Sequence, residues 1–141
     1  MLLLDTNVVS GMFSPAREPA VESWFGSVDR NTLFLSAITK AELLYGLAIM
    51  PAGKRRLELA EVIWRFLARE MGNEILEFGS VEAEHFADIA ATRREKGRPI
   101  SQFDAQIAAI ARARGFTVAT RNVRDFEECG VEIVNPWSGV E

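Results

Sequence analysis

Apolar and polar positions along this chain follow two rhythms. Short apolar-rich runs at Leu2–Leu4, Thr32–Ser36, Ile75–Phe78, Thr117–Thr120 and Val131–Val134 read as strands. The first is apolar throughout, as expected of a strand covered on both faces. Between them lie segments with the helical period: Val8 to Phe13, Glu18 to Val28, Thr39 to Ile49, Lys54 to Met71, Val81 to Lys96 and Ser101 to Arg114. In the fourth, Leu59, Val62, Ile63, Phe66 and Leu67 share one face; in the last, Phe103, Ile107, Ile110 and Ala111 do. Pro51, Gly72-Asn73, Gly97 with Pro99, and Gly115 supply the stops. Ser14-Pro15 and Met50-Pro51-Ala52-Gly53 are turn signals, and no linker or repeat interrupts the pattern.

Five short strands separated mostly by helices imply a three-layer α/β/α domain. Its sheet is expected to be parallel, with helices on both faces and right-handed crossovers. The 141 residues amount to about one domain spanning 1–141, long enough to bury a sizeable core. Ligands of such sheets bind outside the carboxyl ends of the strands, where the strand order reverses.

Four acids fall at the points that meet along that edge. Asp5 follows Leu2–Leu4, and Glu42 comes less than two helical turns after Leu33-Phe34-Leu35. Asp104 opens the helix from Ser101, and Asp125 lies just beyond Thr117–Thr120. Each also has an ordinary structural reading. Asp5 can cap the first helix, and Ser101-x-x-Asp104 is a capping pattern. Glu42 can be a solvated helical residue, and Asp125 can form a surface ion pair. These readings weaken jointly, because all four acids fall on one expected rim.

Clustered carboxylates repel unless a cation joins them. Oxygen ligands suit Mg²⁺ or Mn²⁺, which can activate water and stabilise a leaving oxygen. Other chemistry is scarce. His85 is the one histidine and reads as a surface or half-buried structural residue. No Cys/His cluster suggests zinc, and no glycine-rich phosphate loop suggests a nucleotide cofactor. Trp24 and Trp137 read as packing residues. The stripe with Trp64 and Phe66 reads as core or as an interaction surface, which period alone does not separate.

The net charge is −4, from 16 basic and 20 acidic residues, which is not the basic footprint usual for a nucleic-acid binder. Setting aside the four rim acids leaves 16 acidic against 16 basic residues. No apolar run approaches the ~20 residues needed to span a bilayer. Met-Leu-Leu-Leu-Asp lacks the basic start of a signal peptide. Cys129 is the lone cysteine, so no internal disulfide is expected, and a reducing cytosol fits best.

Four blocks carry a family resemblance. Leu3-Leu4-Asp5-Thr6-Asn7-Val8-Val9-Ser10 resembles the opening motif of PIN domains, especially VapC-type toxins of bacterial toxin–antitoxin pairs. Ser36-Ala37-Ile38-Thr39-Lys40-Ala41-Glu42-Leu43-Leu44-Tyr45-Gly46 resembles their second motif. Asp104-Ala105-Gln106-Ile107-Ala108-Ala109-Ile110-Ala111 resembles the third, and Thr120-Arg121-Asn122-Val123-Arg124-Asp125-Phe126 the fourth. Order and spacing agree over nearly the whole chain, most closely with the FitB-like branch.

The resemblance implies a metal-dependent endoribonuclease. Asp5 and Asp104 match the main metal ligands, and Glu42 the acid that helps bind metal or position water. Asn122 stands where some relatives carry Asp, while Asp125 matches the acid of the family's "DF" pair. Thr6, Asn7 and Thr120 resemble polar residues that orient those ligands. Arg98, Arg121 and Arg124 are candidate phosphate contacts, with solvated surface charge as their alternative. The implied reaction is in-line attack of water on an RNA backbone phosphate, leaving 5′-phosphate and 3′-hydroxyl ends. Implied partners are a homodimer mate and an antitoxin, whose tail lies across the active-site groove and whose other half binds operator DNA.

Two rival readings are weighed. A phosphotransfer receiver domain also gathers acids at strand ends, but its third strand ends in Asp and a Lys follows its last strand. Here Phe78-Gly79-Ser80 ends the third strand, and no Lys follows position 96. A non-catalytic PIN-like module acting through a protein partner is opposed by the intact Asp5, Glu42 and Asp104.

Overall fold

The computed structural model describes residues 1–14, 16–70 and 73–138, with residues 69 and 70 described by their backbone alone. The expected turn at Pro15 and the expected helix end at Met71-Gly72 lie outside the described residues.

Five strands form one parallel sheet: β1 (Leu2–Leu4), β2 (Leu33–Ser36), β3 (Ile75–Leu76), β4 (Thr117–Ala119) and β5 (Ile133–Val134). Their order is β3-β2-β1-β4-β5, so β1 is central and the order reverses beside it. Leu2 pairs with Leu33 on one side and with Thr117 on the other.

The two-residue pleat sends successive side chains of β1 to opposite faces. Leu4 enters a core with α1 (Thr6–Phe13), α2 (Pro19–Ser27), α3 (Ala37–Ala48) and α4 (Lys54–Arg65), through Val8, Trp24, Leu43 and Ile63. Leu3 enters a second core with α5 (Ser80–Glu95), α6 (Gln102–Arg114) and α7 (Val123–Phe126), through Ile89, Ile107, Ile110 and Phe126. Helices therefore cover both faces, and the three-layer parallel architecture expected from the pattern is the one observed. Trp24 and Trp137 both pack into the first core. His85 is half-buried on α5.

Several boundaries differ from expectation. The edge strands are two residues each, and Glu77-Phe78 and Val131-Glu132 fall outside them, although Glu132 O still accepts from Val118 N at 2.8 Å. An edge strand pairs on one side only, so apolar residues beyond the ladder hold to the core by side chains. Phe78 does so edge-on against Phe86, with ring centroids 6.0 Å apart. The long helix from Lys54 ends at Arg65 and passes into a π-helical turn, Phe66–Glu70. Its apolar stripe divides: Phe66 is 2% exposed, while Trp64 is 52% exposed with the Lys40 ammonium 6.0 Å from its ring.

Phe103 is a correction. It shares a helical face with Ile107 and Ile110, yet it is 54% exposed where they are 0%. It lies in the first turn of α6, at the edge of the sheet. The short α7 carries too few residues to show a period and was not expected. Among the described residues, no helix is long and apolar enough to cross a membrane.

Candidate active site

Asp5 leaves the central strand at the point where strand order reverses. Its N–H donates to Ala119 O at 2.9 Å, which extends the β1–β4 ladder by one bond. Its side chain caps α1, with Oδ1 accepting from Thr6 N at 2.8 Å. Oδ2 accepts from Asn7 Nδ2 at 2.9 Å and from Thr120 Oγ1 at 2.8 Å. The structural role and the candidate chemical role thus coexist in one carboxylate, which is 5% exposed. Thr120 is placed by its own N–H, which donates to Val134 O at 2.9 Å. Its hydroxyl also accepts from Asn122 N at 3.0 Å, and Asn7 Oδ1 accepts from Arg121 N at 3.2 Å. The first and fourth sequence blocks are therefore stitched together.

Glu42 arrives from α3. Ser36 caps that helix, its Oγ accepting from Thr39 N at 3.0 Å. Thr6 Oγ1 stands 2.7 Å from Glu42 Oε1 and 3.1 Å from Thr39 Oγ1. A hydroxyl has one proton, so Thr6 donates to the carboxylate and the Thr39 hydroxyl is left to donate to Thr6. Thr39, fully buried, aims Glu42 at second hand; its place in the Ser36-x-x-Thr39 cap was the available signal for it.

Asp104 lies in the first turn of α6, where its N–H donates to Ser101 Oγ at 3.2 Å. It is half-buried, whereas Asp125 on α7 is exposed. Burial pushes the Asp5 carboxyl above the usual range; bonds from Thr120 and Thr6 oppose this, and the charges of Glu42 and Asp125 add to it. Burial also raises Asp104, followed by the charge of Asp5; Ser101 opposes, Asp125 adds and Arg93 opposes. Asp5 thus lies in the fields of Glu42 and Asp125, and Asp104 in those of Asp5 and Asp125. Asn122 is exposed at the head of α7, and its carbonyl accepts from Asp125 N at 3.0 Å.

The expected ligand set is not a closed cage. Among the described residues, no three His, Cys, Asp or Glu side chains stand close enough to hold one ion. The donor set nevertheless fits a hard cation. It is oxygen-only, Asp5 and Asp104 are destabilised as anions, and Mg²⁺ takes one or two carboxylates while keeping waters.

The three candidate phosphate contacts differ. Arg98 is engaged, 3.0 Å from Glu127 and 3.4 Å from Glu128. Arg121 stacks 5.1 Å from the Trp137 ring and 3.5 Å from Glu18, and Arg124 is exposed. A groove of about 560 Å³ begins at Thr6 and Glu42 and runs between α1, α3 and α4 over Phe13, Leu47, Val62 and Ile63. Nothing in the sequence singled out Arg93. In Arg93-Arg94-Glu95-Lys96 it reads as solvated charge, yet it is buried.

Known proteins share this fold. The PIN domain family matches residues 2–131. The "VapC ribonuclease Y4jK" of Sinorhizobium fredii is 41% identical, across 97% of this chain and 98% of that protein. The "Toxin FitB" of Neisseria gonorrhoeae is 36% identical, across 97% and 99%. A solved structure of FitAB bound to a DNA fragment superposes with a TM-score of 0.93 at 35% identity, covering 100% of this chain and 98% of the other.

Proposed function

This chain belongs to the PIN-domain family, among its VapC- and FitB-type members, and from that premise we propose that it is the toxin of a toxin–antitoxin pair. Its activity is Mg²⁺- or Mn²⁺-dependent endoribonuclease cleavage of RNA phosphodiester bonds in the cytosol. One observation carries this reading. Asp5 lies where the strand order reverses, in the fields of Glu42 and Asp125, Asp104 feels the charges of Asp5 and Asp125, and burial with these charges destabilises Asp5 and Asp104 as anions. The names of the relatives, a ribonuclease and a toxin, support it.

Asp5 and Asp104 would hold the cation, with Glu42 and Asp125 beside them and Asn122 offering a neutral carbonyl oxygen. Bound there, a divalent cation activates water and offsets charge on the phosphate. The chain's own residues supply orientation. Thr120, Asn7 and the Thr6 N–H fix both oxygens of Asp5 and take three of its roughly four lone-pair sites, leaving one on Oδ1 for a cation. Glu42, aimed by the Thr6 hydroxyl, is placed to hold a water or accept its proton. Arg121 and Arg124 supply backbone contacts to RNA. Arg98 is the weaker candidate, because two carboxylates already occupy its guanidinium.

The partners proposed are a second copy of the chain and an antitoxin. A segment of the antitoxin fills the groove beside Glu42, and its other half binds operator DNA. The solved FitAB complex on DNA supports this.

The test is cleavage of a mixed RNA panel with Mg²⁺ or Mn²⁺, beside an Asp104→Asn variant and an EDTA control. Cleavage lost in both controls is expected. Equal cleavage by wild type and variant would remove Asp104 from the site. Metal-dependent stabilisation without cleavage of any RNA would favour a non-catalytic module.

A further inference from the structure

Arg93 sits in the last turn of α5 at 4% exposure, and among the described residues no carboxylate pairs with it. Asp104 lies within its field, but a buried cation without a direct ion pair is costly unless its donors are satisfied. Here main-chain carbonyls satisfy Nε and Nη1. Nε donates to Arg98 O at 2.7 Å, and Nη1 donates to Asp125 O at 2.9 Å and Glu127 O at 3.1 Å. A weaker contact reaches Cys129 Sγ at 3.6 Å. Asp125 and Glu127 bring carbonyls from the C-terminal end of α7, where a helix leaves such groups without intrahelical partners.

The site acids are held in two different ways. Three hydrogen bonds fix the carboxylate of Asp5 directly. Among the described residues, no hydrogen bond or ion pair reaches the carboxylate of Asp125, which is exposed. Its place is set by its backbone, and that backbone is what Arg93 holds. Arg98 extends the grip: it donates to Arg124 O at 3.2 Å, while its own N–H donates to Arg93 O at 2.9 Å. The two arginines thus bracket α7 against the end of α5. A planar guanidinium reaches several carbonyls at once, which an ammonium on a flexible stem does not reproduce.

We propose that Arg93 is a positioning residue for the ribonuclease reaction, its bonds to Asp125 O and Glu127 O holding α7 so that Asp125 faces the Asp5–Asp104 rim. This rests on the ribonuclease reading above.

The test is a double-mutant cycle of Arg93→Met and Asp125→Asn, read by RNA cleavage and by Mn²⁺ Kd. Arg93→Met is expected to lose about 10- to 100-fold, the usual loss for a partner that orients a ligand. The double variant should be no worse than Asp125→Asn alone, because coupled residues are not additive. Arg93→Lys should recover only part of the loss, and it carries the cycle if Arg93→Met does not fold. Losses that multiply, or an Arg93→Met protein that cleaves and binds like wild type, would overturn the bracket while leaving the ribonuclease reading intact. A wild type that binds Mn²⁺ but cleaves nothing leaves the cycle to be scored on Kd. A wild type that neither cleaves nor binds Mn²⁺ refutes the ribonuclease reading and the role of Arg93 with it.

Discussion

Replacing Thr120 with valine removes one hydroxyl at nearly constant shape, and the structure says what that should cost. The hydroxyl donates to Asp5 Oδ2 at 2.8 Å and accepts from Asn122 N at 3.0 Å. Asn122 is exposed, so water can replace the second bond. Asp5 is buried, so nothing replaces the first. A hydrogen bond to a charged buried group contributes about 1.5–3 kcal/mol, against about 1 kcal/mol for a neutral pair. At about 2–4 °C per kcal/mol for a chain of this size, the metal-free variant should unfold roughly 3–12 °C lower at neutral pH. The deficit should shrink on acidification, because a protonated Asp5 no longer makes a charge-assisted bond. Mn²⁺ should bind about 10- to 100-fold more weakly, since Asp5 loses an orienting partner. Calorimetric unfolding in EDTA at two pH values, followed by a Mn²⁺ titration, measures all three. An unfolding temperature within about 2 °C of wild type, with unchanged Mn²⁺ affinity, would refute the reasoning.

Asp104→Asn should lower RNA cleavage by more than the 10- to 100-fold typical of an outer partner, yet raise metal-free stability at neutral pH, because a half-buried anion beside Asp5 is removed. Cleavage assays and urea midpoints check the two signs. The pH dependence follows from the raised carboxyls of Asp5 and Asp104. The folded chain binds these protons more tightly than the unfolded chain. The stability they contribute is therefore fully present below the ordinary value of 3.8 and is lost as pH rises through the raised folded values. Glu128 is shifted downward and acts with the opposite sign, so the comparison to make in EDTA is wild type minus Asp104→Asn across pH, in which Glu128 cancels. Gly115→Ala should cost about 1–2 kcal/mol at φ 69 and leave cleavage unchanged, measured by thermal unfolding and RNA assay.

The architecture was legible because strands and helices here announce themselves by period. Leu2–Leu4 is apolar throughout because both faces are covered, and Ser101 and Gly115 delimit α6 as cap and stop. The rim was legible for the same reason: Asp5 directly follows β1, Asp104 and Asp125 lie in the first turns of α6 and α7, and Glu42 lies in the second turn of the helix that follows β2. Phe103 was misplaced because a helical face in sequence does not say how far along the helix the sheet extends. α7 escaped because four residues make barely one turn. Arg93 escaped because its neighbours Arg94, Glu95 and Lys96 are exposed, and only the folded course of residues 125–129 gives it carbonyls to hold. Closeness of four acids in a fold is likewise a weaker statement than a coordination sphere, and sequence spacing cannot tell them apart.

The bond between Thr120 and Asp5 spans 115 residues, and β1 needs β4 beside it before Asp5 is in place. Such long-range pairing forms slowly, and a growing chain presents its N-terminal segments first. While ribosomes are still adding residues 117–120, a nascent chain already carries Asp5, Glu42 and Asp104 but lacks the Thr120 hydroxyl and the β4 strand that complete the setting of Asp5. A fragment halted before that point would hold the principal acids without the completed rim. Time is therefore built into the topology: on the function proposed above, activity would begin only once translation of the fourth strand is past, which leaves an interval for a restraining partner to be on hand.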